Sequence, residues 1–201
     1  MKTSRCRLLE LPAEIRESIF EFALLSEKAL VSFCLDEYQH SDYQEATQPP
    51  LTRVNRQVRR ESLPVFYRCN DIILHTDGVK GDATRSWLRC IEHHIPKLHY
   101  LSIWVRYCAL WGSSTMYSGA ICLSLRKVKP DDKWEVDDHC EWVTVTRVPK
   151  DIARDGESLV ESLRAMLEED GGHLQEAEVF AEKLKTLREM YVQSKQAPRG
   201  R

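Results

Sequence analysis

The chain has 201 residues, of which 42% are hydrophobic and 30% charged, and its formal net charge is -2. That length suits one continuous core rather than two independent domains, and the near-neutral balance excludes nucleic-acid binding by bulk positive charge, so any electropositive surface is local. Seven cysteines (Cys6, Cys34, Cys69, Cys90, Cys108, Cys122 and Cys140) are spread along the chain without a Cys-x-x-Cys pair, which argues against a disulfide framework or a zinc site.

The first residues lack the apolar stretch of a signal peptide, and no apolar run approaches the ~20 residues of a membrane span. The expectation is a soluble protein of a reducing compartment, cytoplasmic or nuclear, with no membrane association.

In chain order, LLELPAEIRESIFEFAL (8–24) reads as a helix. Pro12 suits its first turn and Glu14 the positive end of its dipole. Ile15, Ile19, Phe20, Phe22 and Ala23 recur at helical spacing, with Arg16, Glu17 and Glu21 on the other side. Residues 29–35 (ALVSFCL) predict a strand, and 36–50 an acidic, solvated loop that closes on Pro49 and Pro50. In 51–67 (LTRVNRQVRRESLPVFY), Leu51, Val54 and Val58 trace one helix side and Arg53, Arg56 and Arg60 another, with Pro64 expected to interrupt or kink the helix.

Strands are predicted over 72–75, 98–105, 120–128 and 141–148, and a helix over 84–95 closed by Pro96, with a Gly/Ser-containing break at 111–119. The acidic run 130–140 lacks the glycine and spaced carboxylates of a calcium loop and reads as a solvated hairpin loop. From Asp155 onward, Leu159, Leu163 and Met166 with Leu167 mark one amphipathic helix, Gly171 and Gly172 its end, and Phe180, Leu184, Leu187 and Tyr191 another.

The order predicts a single α+β domain with a mixed or antiparallel sheet of about four to five strands. Its expected parts are an N-terminal region (1–70, including the acidic loop), a sheet region (71–150), a C-terminal helical pair (151–195) and a tail (196–201).

Chemistry is sparse. Cys90 with His93, and His139 with Cys140, are the nearest thiol and imidazole pairings, and neither forms a catalytic or metal-binding signature. No glycine-rich phosphate loop opens a helix after a strand. No catalytic residue, cofactor or metal is expected. Arg53, Arg56, Arg59 and Arg60 offer a salt-sensitive nucleic-acid grip as one reading. The other is packing, with arginine stems over apolar surface and their heads paired to carboxylates, a pairing set of Glu14, Arg16, Arg56, Arg59, Arg60 and Glu61 with Glu17 as a further acceptor.

The blocks LLELPAEIRESIFEFAL (8–24) and RVNRQVRRESLPVFY (53–67), with Asn70 before a strand, resemble fungal F-box-like proteins of unknown role. In those a Leu-Pro-x-Glu-Ile-Arg helix precedes an Asn-Arg-Gln-x-Arg helix and a Leu-Pro-x-Phe-Tyr exit. WLRCI (87–91) and IPKLHYLSI (95–103) echo the same set. The resemblance implies a non-enzymatic interaction module, a substrate adaptor that docks on the Skp linker of a cullin-type ubiquitin ligase and captures a target protein. By resemblance the docking residues are Leu8, Leu11, Pro12, Ile15, Ile19 and Phe20. The alternative is a structural domain that has lost Skp binding, with these residues buried against Val54, Val58, Leu63 and Phe66. Docking requires a second apolar face of the first helix left in water.

Overall fold

The computed structural model describes residues 7–33, 42–108, 119–129, 132–143, 148–169 and 171–196. A short 3-10 turn (Arg7–Glu10) leads into helix α1 (Ala13–Leu24), entered through Pro12 at the cap position with Glu14 in its first turn. Strand β1 (Ala29–Val31) and strand β2 (Tyr43–Glu45) follow, then a 3-10 turn (Pro50–Arg53) and helix α2 (Arg56–Cys69). Asn55 caps α2 by accepting the Val58 N–H at 2.9 Å. Next come β3 (Asp71–His75), α3 (Gly78–Cys90), a 3-10 turn (Glu92–Lys97) and β4 (Tyr100–Arg106). The chain continues with β5 (Ala120–Arg126), β6 (Glu135–Val143), α4 (Ile152–Glu169) and α5 (Ala177–Gln196).

The six strands form one sheet in the order β2-β1-β3-β4-β5-β6, with parallel pairing from β2 through β4 and antiparallel pairing from β4 through β6. Alternation along each strand assigns its two faces. Leu30, Ile72, Leu74, Leu101, Ile103, Ile121 and Leu123 point into one large core that also takes Phe20, Val58, Phe66, Leu88, Leu159, Phe180 and Leu187 from the helices. The intervening Val31, Ile73, Trp104 and Cys122 make a small cluster on the opposite face. This is a single α+β domain with its helices gathered against one side of a mixed sheet. Among the described residues no helix is long and apolar enough to cross a membrane.

Three expectations need correction. The acidic loop contains β2, whose register sets Tyr43 opposite Ala29 and Glu45 opposite Val31, so the sheet has six strands rather than four or five. The last strand starts at Glu135, inside the acidic run read as a hairpin loop, and its described part ends at Val143. It is an edge strand, so Glu135, Asp137, Asp138 and His139 meet water while Val136, Cys140 and Trp142 pack toward the core.

Helix α2 also runs unbroken through Pro64. A proline inside a helix costs about 3 kcal/mol. Burial of the neighbouring Leu63, Val65 and Phe66, at about 1.5–3 kcal/mol each, exceeds that. The expected break at 111–119 falls almost wholly outside the described residues.

At the turn between the C-terminal helices, Gly171 and Gly172 adopt φ of 67° and 85°, and Gly172 donates to the Leu167 carbonyl at 2.7 Å. This left-handed ending is open to glycine at little cost, and it reverses the chain so that α5 returns along α4.

Candidate functional site

Helices α1 and α2 pack side by side, and their cross-links advance together along both helices. Arg16 pairs with Glu61, Arg68 pairs with Glu17 and Glu21 (2.7 and 2.6 Å), and Asn70 meets the end of α1. The two helices therefore run in the same direction, with their starts at the same end.

Asn70 ties the exits together. Its Nδ2 donates to the Leu24 carbonyl (2.9 Å) and the Phe66 carbonyl (2.8 Å), and its Oδ1 accepts from the Ser26 N–H (2.8 Å). One buried amide thus satisfies terminal carbonyls of both helices where β3 begins, which gives a physical role to an asparagine between helix and strand.

The pairing is built on Phe20 (1% exposed) and Leu24 (4%) from α1, in the same core as Val58, Leu63 and Phe66 from α2. At 3.6 residues per turn, Ile15, Ile19 and Phe22 fall on the other side of α1, and Leu11 continues their row just ahead of the helix. Their exposures are 50%, 39% and 90%, and 37% for Leu11. Helix α1 therefore has two apolar stripes, one in the core and one in water. Of the docking residues drawn from sequence, Leu11, Pro12, Ile15 and Ile19 are exposed. Phe20 is a core residue with no surface to offer a partner, and Leu8 is half-buried against the core. Phe22, Leu25 and Val54 are exposed apolar residues that the sequence reading did not place in the docking set.

The charge pairing is narrower than expected. Arg16 and Glu61 form a two-pronged pair, and the hydrogen-bonded guanidinium holds the Glu61 carboxyl below the usual carboxylate range. Arg56, Arg59 and Arg60, expected to pair as well, are exposed and form no ion pair among the described residues, and neither does Glu14. The side of α2 that meets α1 carries Gln57, Glu61 one turn on and Arg68 two turns beyond that, and the three arginines lie off that row.

Two other places gather ionisable groups. Where α4 and α5 meet, Lys195 of α5 lies between Asp151, just ahead of α4, and Asp155 of α4, with an ion pair to each. The Tyr107 hydroxyl donates to Asp151 at 2.7 Å and the Tyr191 hydroxyl to Asp155 at 3.0 Å. Burial works to raise the Asp151 carboxyl, but Lys195 and Tyr107 outweigh it and hold it low. Burial, with Asp155 adding to it, pushes the Tyr191 hydroxyl up, so it stays a proton donor.

The second place is a cleft of about 440 Å³ beyond the end of β3, lined by Thr76, Asp77 and Arg85 from one side and Leu184, Lys185 and Arg188 from the other. Its charges are met internally, Arg85 by Glu182, Lys185 by Glu182 and Glu189, and Arg188 by the Arg106 carbonyl. This leaves little to hold a charged ligand.

The two Cys/His pairings lie in different settings. Cys140 points toward α4, where burial raises its thiol, while the adjacent His139 is exposed on the other face of the strand. Cys90 and His93 are both exposed, and no group of three or more potential metal ligands occurs among the described residues. No protein family, curated protein or solved structure matches the chain.

Proposed function

We propose that this chain is a non-enzymatic protein-interaction module that docks a partner on the outer stripe of α1, through Leu11, Pro12, Ile15, Ile19 and Phe22. The observation that carries the reading is Phe22, an aromatic side chain 90% exposed in the last turn of α1, in row with Ile15 and Ile19. Apolar residues on the water side contribute nothing to the core, and a contiguous row of them is the usual mark of a contact surface. The resemblance to F-box-like proteins supplies the partner class, the Skp linker of a cullin-type ubiquitin ligase, and makes the remaining surface the place where a target is held.

The test is titration of purified protein with a purified Skp linker by calorimetry, in wild type and in an Ile15→Asp, Phe22→Asp double variant. Saturable binding by wild type, and its loss in a variant with an unchanged circular dichroism spectrum, is the expected result. If wild type fails to bind, the Skp assignment goes. If both proteins bind equally, the stripe is not the docking surface.

A further inference from the structure

We propose that Arg53, Arg56, Arg59 and Arg60, at the start of α2, form a seat for an acidic, Asp/Glu-rich segment of a protein partner. All four are exposed, and among the described residues none makes an ion pair or a side-chain hydrogen bond. Arg16, Arg68, Arg85, Arg89, Arg106, Arg126 and Arg164 each face a carboxylate, whereas these four stand without one among the described residues and fall within eight residues of each other. The nearest acid in the same helix, Glu61, is taken by Arg16. The first turn of α2 has no acidic residue, so four like charges share the helix end whose dipole is already positive. Within the folded chain that concentration of positive charge is repulsive, and an anion seated on it relieves the repulsion.

The kind of anion follows from how α2 is set in the fold. Val58, Ser62, Leu63, Val65, Phe66 and Tyr67 are buried, so the helix is embedded along most of its length and cannot enter a duplex groove. The neighbouring ring, Tyr67, is 0% exposed and stacks on His94 at 5.0 Å, so no free aromatic face is offered to an unpaired base. What remains is a set of planar guanidinium forks open to water, the arrangement that matches carboxylates carried on an extended segment. The seat lies on α2 and the apolar stripe on α1, so this inference does not depend on the docking reading above.

The test is fluorescence anisotropy of the full chain with a labelled Asp/Glu-rich decapeptide, an Asn/Gln counterpart, duplex DNA and single-stranded RNA, at about 20 mM and about 200 mM salt. The expected result is binding to the acidic peptide that weakens with salt and is absent for the neutral one. An Arg56→Glu, Arg60→Glu variant should bind at least tenfold more weakly, while a Lys129→Glu, Arg154→Glu variant with the same charge change at exposed distant positions stays within about twofold of wild type. Arg56→Gln with Arg60→Gln gives the same reading if charge reversal impairs folding. No binding at low salt, equal loss in both charge-reversed variants, or tighter binding of either nucleic acid than of the acidic peptide overturns the assignment.

Discussion

The Arg16 guanidinium meets the Glu61 carboxylate with two parallel bonds, Nε to Oε2 at 2.7 Å and Nη2 to Oε1 at 2.8 Å, and Gln57 steadies the same carboxylate at 3.1 Å. The pair fixes how far α1 slides along α2, because two planar groups meeting edge to edge tolerate little displacement. Arg16→Met and Glu61→Met should each lower the urea midpoint, and the double variant should lose less than the sum of the two. Strict additivity in that cycle means that the pair does not couple the helices.

The two faces of α1 should separate cleanly under substitution. Phe20→Ala empties a site in the core and should cost about 3–5 kcal/mol. Phe22→Glu removes a side chain already in water and should change stability by less than about 0.5 kcal/mol, and Ile15→Glu, at a half-exposed position, should cost less than Phe20→Ala. Urea unfolding of the three variants is the measurement, and a large loss from Phe22→Glu means that Phe22 is covered by part of the chain.

Much of the fold was legible because periodicity reports burial directly. The alternation of Leu101, Ile103 and Val105 marked β4, and the spacing of Leu159, Leu163 and Met166 marked α4. The site was less legible. Apolar residues lie around most of α1, and which of them face inward is decided by where α2 and the sheet sit, so periodicity placed Phe20 and Ile19 together when they point to different sides.

Strand β2 has only three residues and no buried position, and it exists because β1 offers it a parallel edge. The Lys195 cluster left no local trace, since its carboxylates, Asp151 and Asp155, lie far away in sequence and a lysine on an amphipathic helix reads as solvated. The unpaired arginines were visible as a group, but their lack of partners is a property of the packing.

A close approach sets a further prediction. Helix α4 crosses β6 at Gly156, where an added Cβ would stand 2.0 Å from the Cys140 Sγ and 3.3 Å from its Cβ. Gly156→Ala should therefore destabilise by about 1–3 kcal/mol through overpacking, although alanine is the better helix former. Adding Cys140→Ala removes the sulfur and should restore part of the loss. A gain in stability from Gly156→Ala alone would show that the helix can lift off the strand without cost.

His75 gives the molecule a pH dependence of defined sign. It is 3% exposed at the end of β3, and burial, with Lys80 adding to it, lowers its pKa to about 4, against smaller raising effects from Asp77 and the Phe33 backbone. Below pH 6.5 the unfolded chain takes up a proton that the folded chain refuses until about pH 4, so stability is full above 6.5 and falls through that window. At 1.36 kcal/mol per pH unit the loss reaches at most about 3 kcal/mol. Burial lowers His94 and His99 as well, and both act in the same direction. Urea unfolding at pH 7.5 and pH 4.5 should show a smaller difference in His75→Gln than in wild type, and equal differences mean that His75 does not titrate in this range.

The Lys195 cluster predicts an asymmetry between breaking and replacing a buried ion pair. Lys195 and Asp155 are almost wholly buried, and Lys195 also lies over the Tyr107 and Tyr191 rings at 5.1 and 5.7 Å. Lys195→Met leaves Asp151 and Asp155 as two carboxylates with no cation between them, and should cost about 3–5 kcal/mol. Replacing the whole set, Lys195→Met with Asp151→Asn and Asp155→Asn, removes the charges together, and the Tyr107 and Tyr191 hydroxyls can still donate to the amide oxygens. Its loss should be the smaller by at least about 1 kcal/mol, even though it carries three substitutions. Hydrogen exchange adds a local readout, because the last turns of α5 and the first turn of α4 should lose protection in Lys195→Met before the sheet does. If the triple variant is the less stable of the two, the cluster contributes net attraction beyond the cost of burying its charges.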